Sequence, residues 1–163
     1  PYRTEGHNGT AQNPDSNQGE AHLAYDLYRQ KQVPGLGAVL DYQVPLKDKQ
    51  ADKAGKIDLV ADDGAALYLL ELKREDSRET LLRCVLEILT YWHTVDREAL
   101  VEDFLGGDAK RTVVPAVLLP TTCTACRELH ELRMGERPQL AALMEEHGVQ
   151  AFELSPSRTC CRG

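Results

Sequence analysis

No stretch of this chain is apolar for 18 residues, so no segment reads as a membrane-spanning helix. The opening, PYRTEGHNGTAQNPDSNQGE, lacks the basic flank and apolar centre of a secretory signal, and the expectation is a cytoplasmic, intracellular protein. It starts on proline, as a processed piece of a longer chain would. Positive charge is also scarce. With 19 Lys and Arg against 26 Asp and Glu, a net charge of −7 and a pI near 5.2, the chain is not one that coats polyanions by bulk attraction, which depends on basic residues displacing counterions. Any phosphate-bearing partner must be held locally. Internal repeats are absent as well, which excludes a solenoid or a propeller.

What is present is ordinary for one globular domain: 163 residues, 42% hydrophobic and 28% charged. Residues 1–18 are polar and aperiodic and read as a disordered or loosely attached lead-in, in which the Asn8-Gly9-Thr10 sequon is read as chance. The expected domain covers residues 19–155, and residues 156–163 form a cysteine-containing tail.

From Gly19 the pattern becomes helical, with Leu23, Ala24 and Leu27 as the apolar stripe. Glu20 falls on that inward stripe, and His22, Asp26 and Arg29 fall on the opposite, solvated face. VPGLG breaks the helix, and AVLDYQVPL reads as a strand that ends or runs at an edge near Pro45. The loop KDKQADKAG follows. KIDLVADD and AALYLLELKR then read as antiparallel strands joined by a turn at Asp63-Gly64. Alternation puts Leu69, Glu71 and Lys73 on one face, Leu70 and Leu72 on the other, and Asp58 on the face of Val60.

EDSRETLLRCVLEILTYWHTVD is the clearest helix, with a capping box expected at Asp76 and Glu79. Arg83, Glu87 and Tyr91, spaced by four, form its polar seam. RTVVPAVLLP then reads as a strand, MGERPQLAALMEEHG as a helix capped by Gly148, and VQAFEL as the last strand. The order is α-β-β-β-α-β-α-β, an α/β fold in which a mixed sheet carries helices on both faces.

Asp58, Glu71 and Lys73 sit among aliphatic neighbours where more leucine would serve packing better. Two carboxylates on adjacent strands, joined by Glu20, can converge on a hard cation, since Mg²⁺ takes one or two carboxylates and fills its shell with water and phosphate oxygens. Water on such an ion becomes a usable nucleophile near neutral pH, and a nearby ammonium can stabilise developing charge.

Asp58, twelve intervening residues, then Glu71-Leu72-Lys73 on a hairpin between two helices resembles the PD-(D/E)XK nuclease superfamily, the restriction-endonuclease-like fold. The resemblance covers roughly residues 19–120. It implies that Asp58 and Glu71 bind Mg²⁺ or Mn²⁺, with Glu20 as a third acid, that Lys73 assists the attacking water, and that the substrate is DNA. Glu87-Ile88-Leu89-Thr90-Tyr91 resembles the Q-x-x-x-Y element of the RecB-like branch, with glutamate in place of glutamine; this gives Glu87 and Tyr91 supporting roles. So small and acidic a domain is expected to use a homodimer or a partner protein to hold its substrate.

Two other readings stand beside this one. The fold could serve as a noncatalytic module that binds nucleic acid or protein within a larger assembly, and the balance of −4 over residues 84–163 suits a protein partner. Alternatively, Cys123-Thr124-Ala125-Cys126, read as a loop, with Cys160 and Cys161 in the tail offers thiols for zinc, for an iron–sulfur cluster or for redox chemistry. Cys84, inside a buried helix, reads as a small core residue.

Overall fold

The structure is a computed structural model that describes residues 2–3, 19–46, 55–107 and 109–162. The sequon and most of the loop at 47–55 lie outside the described residues. Among the described residues, seven strands and five helices run in the order α1 (Gly19–Gln30), β1 (Gln32–Val33), β2 (Gly37–Pro45), β3 (Lys56–Asp62), β4 (Ala66–Leu72), α2 (Leu81–Thr94), α3 (Arg97–Leu105), β5 (Thr112–Pro120), α4 (Thr124–Arg133), α5 (Pro138–His147), β6 (Gln150–Leu154) and β7 (Cys160–Arg162).

The strands form one mixed sheet in chain order, β1 to β7. Neighbours are antiparallel except β4 with β5 and β5 with β6, which are parallel and carry helices in their crossovers, as parallel pairing requires. β4, buried along nearly its whole length, is the middle strand, with the largely apolar run ALYLLEL.

Two cores sandwich the sheet. On one face Leu23, Ala24 and Leu27 of α1 pack on Leu59, Ala61, Tyr68, Leu70 and Leu72. On the other, Leu81, Val85 and Ile88 of α2 pack on Val60, Leu67, Leu69 and Val117, joined by residues of α3, α4 and α5. The alternation expected for β4 is therefore realised. In β3 it is not strict, because Ile57 and Val60 enter the same core.

The hairpin between β3 and β4 turns at Gly64-Ala65. Gly64 takes φ +92°, open to glycine at little cost, and the Asp63 carboxylate accepts the N–H groups of Ala65 and Ala66, each at 2.8 Å. α5 ends at Gly148, whose left-handed φ of 65° closes the helix as expected.

Several expectations need correction. The capping box does not form. Thr80 is the N-cap of α2, accepting from the Arg83 N–H, while Asp76 pairs with Arg74. The N-terminal N–H of Leu81 is taken instead by Glu128 of α4, at 2.7 Å.

His22 does not lie on a solvated face: its Nε2 is buried without a partner, beside Tyr25 and Tyr42. Tyr2, within the supposed loose lead-in, is tied down, its hydroxyl accepting from the Asp96 N–H at 2.9 Å and its own N–H donating to Asp103 at 2.5 Å. β1, α3, α4 and β7 were not expected. The C-x-x-C stretch begins a helix, with Cys123 as N-cap of α4, and Cys160 and Cys161 belong to an edge strand.

Candidate active site

The two strands of the hairpin part company just where the acids begin. Their ladder ends at Leu59↔Leu70, and continuing the register would set Asp58 opposite Glu71. Beyond that point the Leu72 N–H is bonded by a side chain: Asp58 Oδ2 accepts it at 2.8 Å. Its other oxygen, Oδ1, accepts from Gln43 Nε2 at 2.9 Å. Gln43 lies on β2 with a left-handed φ of 51°, uncommon for a residue other than glycine, beyond a register shift at Val39–Asp41. The irregular strand thus aims an amide at Asp58.

Glu71 and Lys73 are almost fully buried, at 5% and 3% exposure. Lys73 Nζ stands 2.7 Å from Glu71, 2.6 Å from Glu79 and 3.3 Å from Glu87. Its three N–H donors thus face three carboxylates. Glu79 comes from the β4–α2 connection and Glu87 from α2, where both also neighbour Arg83 at 3.6 Å. Glu20, half-buried at the start of α1, lies close enough to feel Lys73 and Glu79 and to act on Asp58. Tyr91 closes the other side, its ring against Gly55, where a Cβ would meet ring atoms at 2.6 Å.

The titration behaviour follows from crowding acids into a partly dry site. Burial pushes Asp58 up to about 7; the Leu72 N–H works against this and Glu20 with it. Burial and then the charge of Asp58 push Glu71 up to about 9, against the opposing pull of Lys73. Burial also raises Glu20 and the Tyr91 hydroxyl. Burial works against the charge on Lys73, but Glu71 and Glu79 outweigh it and hold the ammonium above the ordinary lysine value. Glu20, Asp58, Glu71, Glu79 and Glu87 thus surround one buried ammonium. The cluster favours additional positive charge, and a proton or a cation would supply it.

Whether a divalent ion fits is a question of donors. Asp58 and Glu71 are hard oxygen donors on facing strand positions, Asp58 raised by burial and by Glu20, and Glu71 by burial and by the charge of Asp58, which a shared cation would relieve. Glu20, Asp58 and Glu71 do not bring three oxygens within 4.8 Å of one another, so the fit is to two carboxylates with Glu20 at the rim. That is the donor number Mg²⁺ commonly takes from protein.

Two residues of this cluster escaped the sequence reading. Glu79 was assigned to a helix cap. Gln43 is a polar residue inside the apolar strand run AVLDYQVPL, the same kind of signal that marked Asp58.

The four cysteines do not form one set. Cys123 and Cys126 lie in the core beneath α2 and α4, Cys160 lies in the core beneath α1, and the sheet stands between them. All five thiols are free, and Cys84 is a buried core residue. A cleft of about 740 Å³, lined in part by Trp92, Arg97, Lys110 and Arg111, opens at the other end of β4 and holds none of the acids above. Comparisons with family models, with curated proteins and with solved structures give no match for this chain. Among the described residues no helix is long and apolar enough to cross a membrane.

Proposed function

We propose that this chain is a divalent-metal-dependent nuclease of the PD-(D/E)XK type, hydrolysing phosphodiester bonds in DNA. The observation that carries the reading is the pair of carboxylates, half-buried Asp58 and buried Glu71, at the splayed end of a hairpin, with Lys73 bonded beside it. The order α1, β2, β3, β4, α2, β5 is compatible with the helix, three strands, helix, strand that the resemblance implies, with β1 and α3 as additions.

In this reading Asp58 and Glu71 hold Mg²⁺ or Mn²⁺. Gln43 and the Leu72 N–H orient Asp58, as hydrogen-bonded partners orient metal-binding carboxylates generally. When bound, the ion supplies Lewis-acid polarisation of the scissile phosphate and eases deprotonation of water. Lys73 offers its ammonium to the attacking water or to charge developing on phosphate. Glu20 takes up positive charge at the rim, and Tyr91 excludes water from one side. Because net charge gives no general attraction to DNA, a second copy or a partner protein holds the substrate.

One observation favours a second reading. With Lys73 ion-paired to Glu71, Glu79 and Glu87, a substrate must compete with three carboxylates for the ammonium unless an ion first displaces one. A noncatalytic module that binds nucleic acid or protein would keep such a closed cluster.

The experiment is cleavage of single- and double-stranded DNA with Mg²⁺ or Mn²⁺, for wild type, Asp58→Ala and Glu71→Ala, with EDTA as control. The nuclease reading expects cutting that EDTA and either substitution abolishes while circular dichroism stays native. Binding of DNA with no cutting under any condition would favour the second reading. Undiminished cutting by Glu71→Ala would remove the assigned site.

A further inference from the structure

The far edge of the sheet carries a different set of donors. Cys126 and His130 are one turn apart on α4 and share a helix face. Both meet Glu153 of β6: Cys126 Sγ lies 3.2 Å from Glu153 Oε1 and 3.9 Å from His130 Nε2, and His130 Nε2 contacts the same Oε1. The three donor atoms all lie within 4.8 Å of one another, and no other group of three does so among the described residues. A tetrahedral ion bound at about 2.0–2.3 Å holds its ligands about 3.5 Å apart, close to the distances from Cys126 to Glu153 and to His130, and His130 and Glu153 would part to admit it.

The ladder places a further thiol on the same side of the sheet, outside the spacing of those three donors. Glu153 pairs directly with Cys161 of β7, and residues opposite each other in an antiparallel pair project from the same face. Their neighbours Leu154 and Cys160 lie in the core beneath α1, so Glu153 and Cys161 face the α4 side. Arg133 Nη1 holds the remaining Glu153 oxygen at 3.1 Å.

We propose that Cys126, His130, Glu153 and Cys161 bind one Zn²⁺, with Arg133 bracing Glu153 from outside the shell. Thiolate and imidazole donors select zinc over the hard cations suited to Asp58 and Glu71. Two thiolates, one carboxylate, Zn²⁺ and the Arg133 guanidinium sum to zero, so the cluster closes without excess charge. Its role is structural. The ion ties α4 to β6 and to the three-residue edge strand β7, which otherwise rests on few ladder bonds.

The site is independent of the acidic one, and the test keeps them apart by using the full chain carrying Glu71→Ala. Co²⁺ is the probe, because thiolate ligation gives a charge-transfer band and tetrahedral geometry gives strong visible bands, neither of which carboxylates alone produce. The expected result is one equivalent of Co²⁺ with both signatures, displaced by Zn²⁺. His130 is 54% exposed, so His130→Ala should fold normally and weaken Co²⁺ binding by about tenfold or more. Cys161→Ser should cut the charge-transfer intensity by about half, as two thiolates become one. Absence of a charge-transfer band, or a titration unmoved by His130→Ala, would overturn the site. An intensity unchanged by Cys161→Ser would overturn the fourth ligand.

Discussion

Replacing Lys73 with methionine removes the one buried positive charge of the acidic cluster while keeping a side chain of similar length. Lys73 Nζ lies within 3.3 Å of Glu71, Glu79 and Glu87, and the residue is 3% exposed. Breaking a buried ion pair from one side costs about 3–5 kcal/mol. Glu79 and Glu87 have side chains 35% and 31% exposed and can rehydrate, which places Lys73→Met at the lower end, about 3 kcal/mol at about pH 8. For a chain of this size that corresponds to a fall in Tm of about 6–12 °C.

The pH dependence has a definite sign. Lys73 keeps its charge in both the folded and unfolded chain across the neutral range, its folded pKa being raised, so its own titration contributes nothing there. Its partners do titrate. A carboxyl whose folded pKa is raised destabilises the fold as pH climbs from the unfolded value to the folded one, here from 4.5 to about 9 for Glu71 and from 3.8 to about 7 for Asp58. Without Lys73 both rise further. The deficit of Lys73→Met should therefore shrink to about 1 kcal/mol at about pH 5, where protons replace the ammonium. Urea unfolding in EDTA at the two pH values measures it. An equal loss at both would mean that lost packing, not charge, is responsible, and no loss at the higher pH would refute the reasoning.

The same signs predict that wild-type stability in EDTA declines from about pH 5 to about pH 9, and that Mn²⁺ at about 100 times its Kd restores about 2.7 kcal/mol; melts with and without the ion would show it. Thr80→Ala should cost about 1 kcal/mol in chemical denaturation, through loss of the α2 cap, and leave Mn²⁺ affinity unchanged. Glu128→Ala should cost more, about 2 kcal/mol by the same measurement, because it strands the buried Leu81 N–H and leaves Arg137 only its pairing with Glu131.

Much of the fold was legible because its signals are periodic. The alternating strand ALYLLELK, the turn at Asp63-Gly64 and the apolar run from Leu81 to Trp92 specify local structure that the packing then accepts. What was missed lacks such signals. α3 is weakly amphipathic, with Leu100 and Phe104 as its buried residues, and β7 is only three residues long. α4 carries no ordinary start signal, because helix-forming RELHELR follows directly on the C-x-x-C stretch and its cap is a thiol, not a hydroxyl. In the acidic cluster, Asp58, Glu71, Lys73, Glu20, Glu87 and Tyr91 are gathered as the strand and helix periods imply. Glu79 and Gln43 were not legible, since one sits in a connection and the other depends on a strand irregularity and a positive φ. The Cys126, His130 and Glu153 group was illegible for a simpler reason: β6 brings Glu153 to α4 across 27 residues of chain.

The central claim is that Asp58 and Glu71 together hold a divalent cation. Calorimetric titration of the metal-free chain with Mn²⁺ tests it directly, comparing wild type with Asp58→Asn/Glu71→Gln, which keeps side-chain shape while removing both charges. The account predicts a Mn²⁺ site in wild type whose affinity falls by about a hundredfold or more in the double variant. Identical isotherms for the two proteins, both folded, would contradict it.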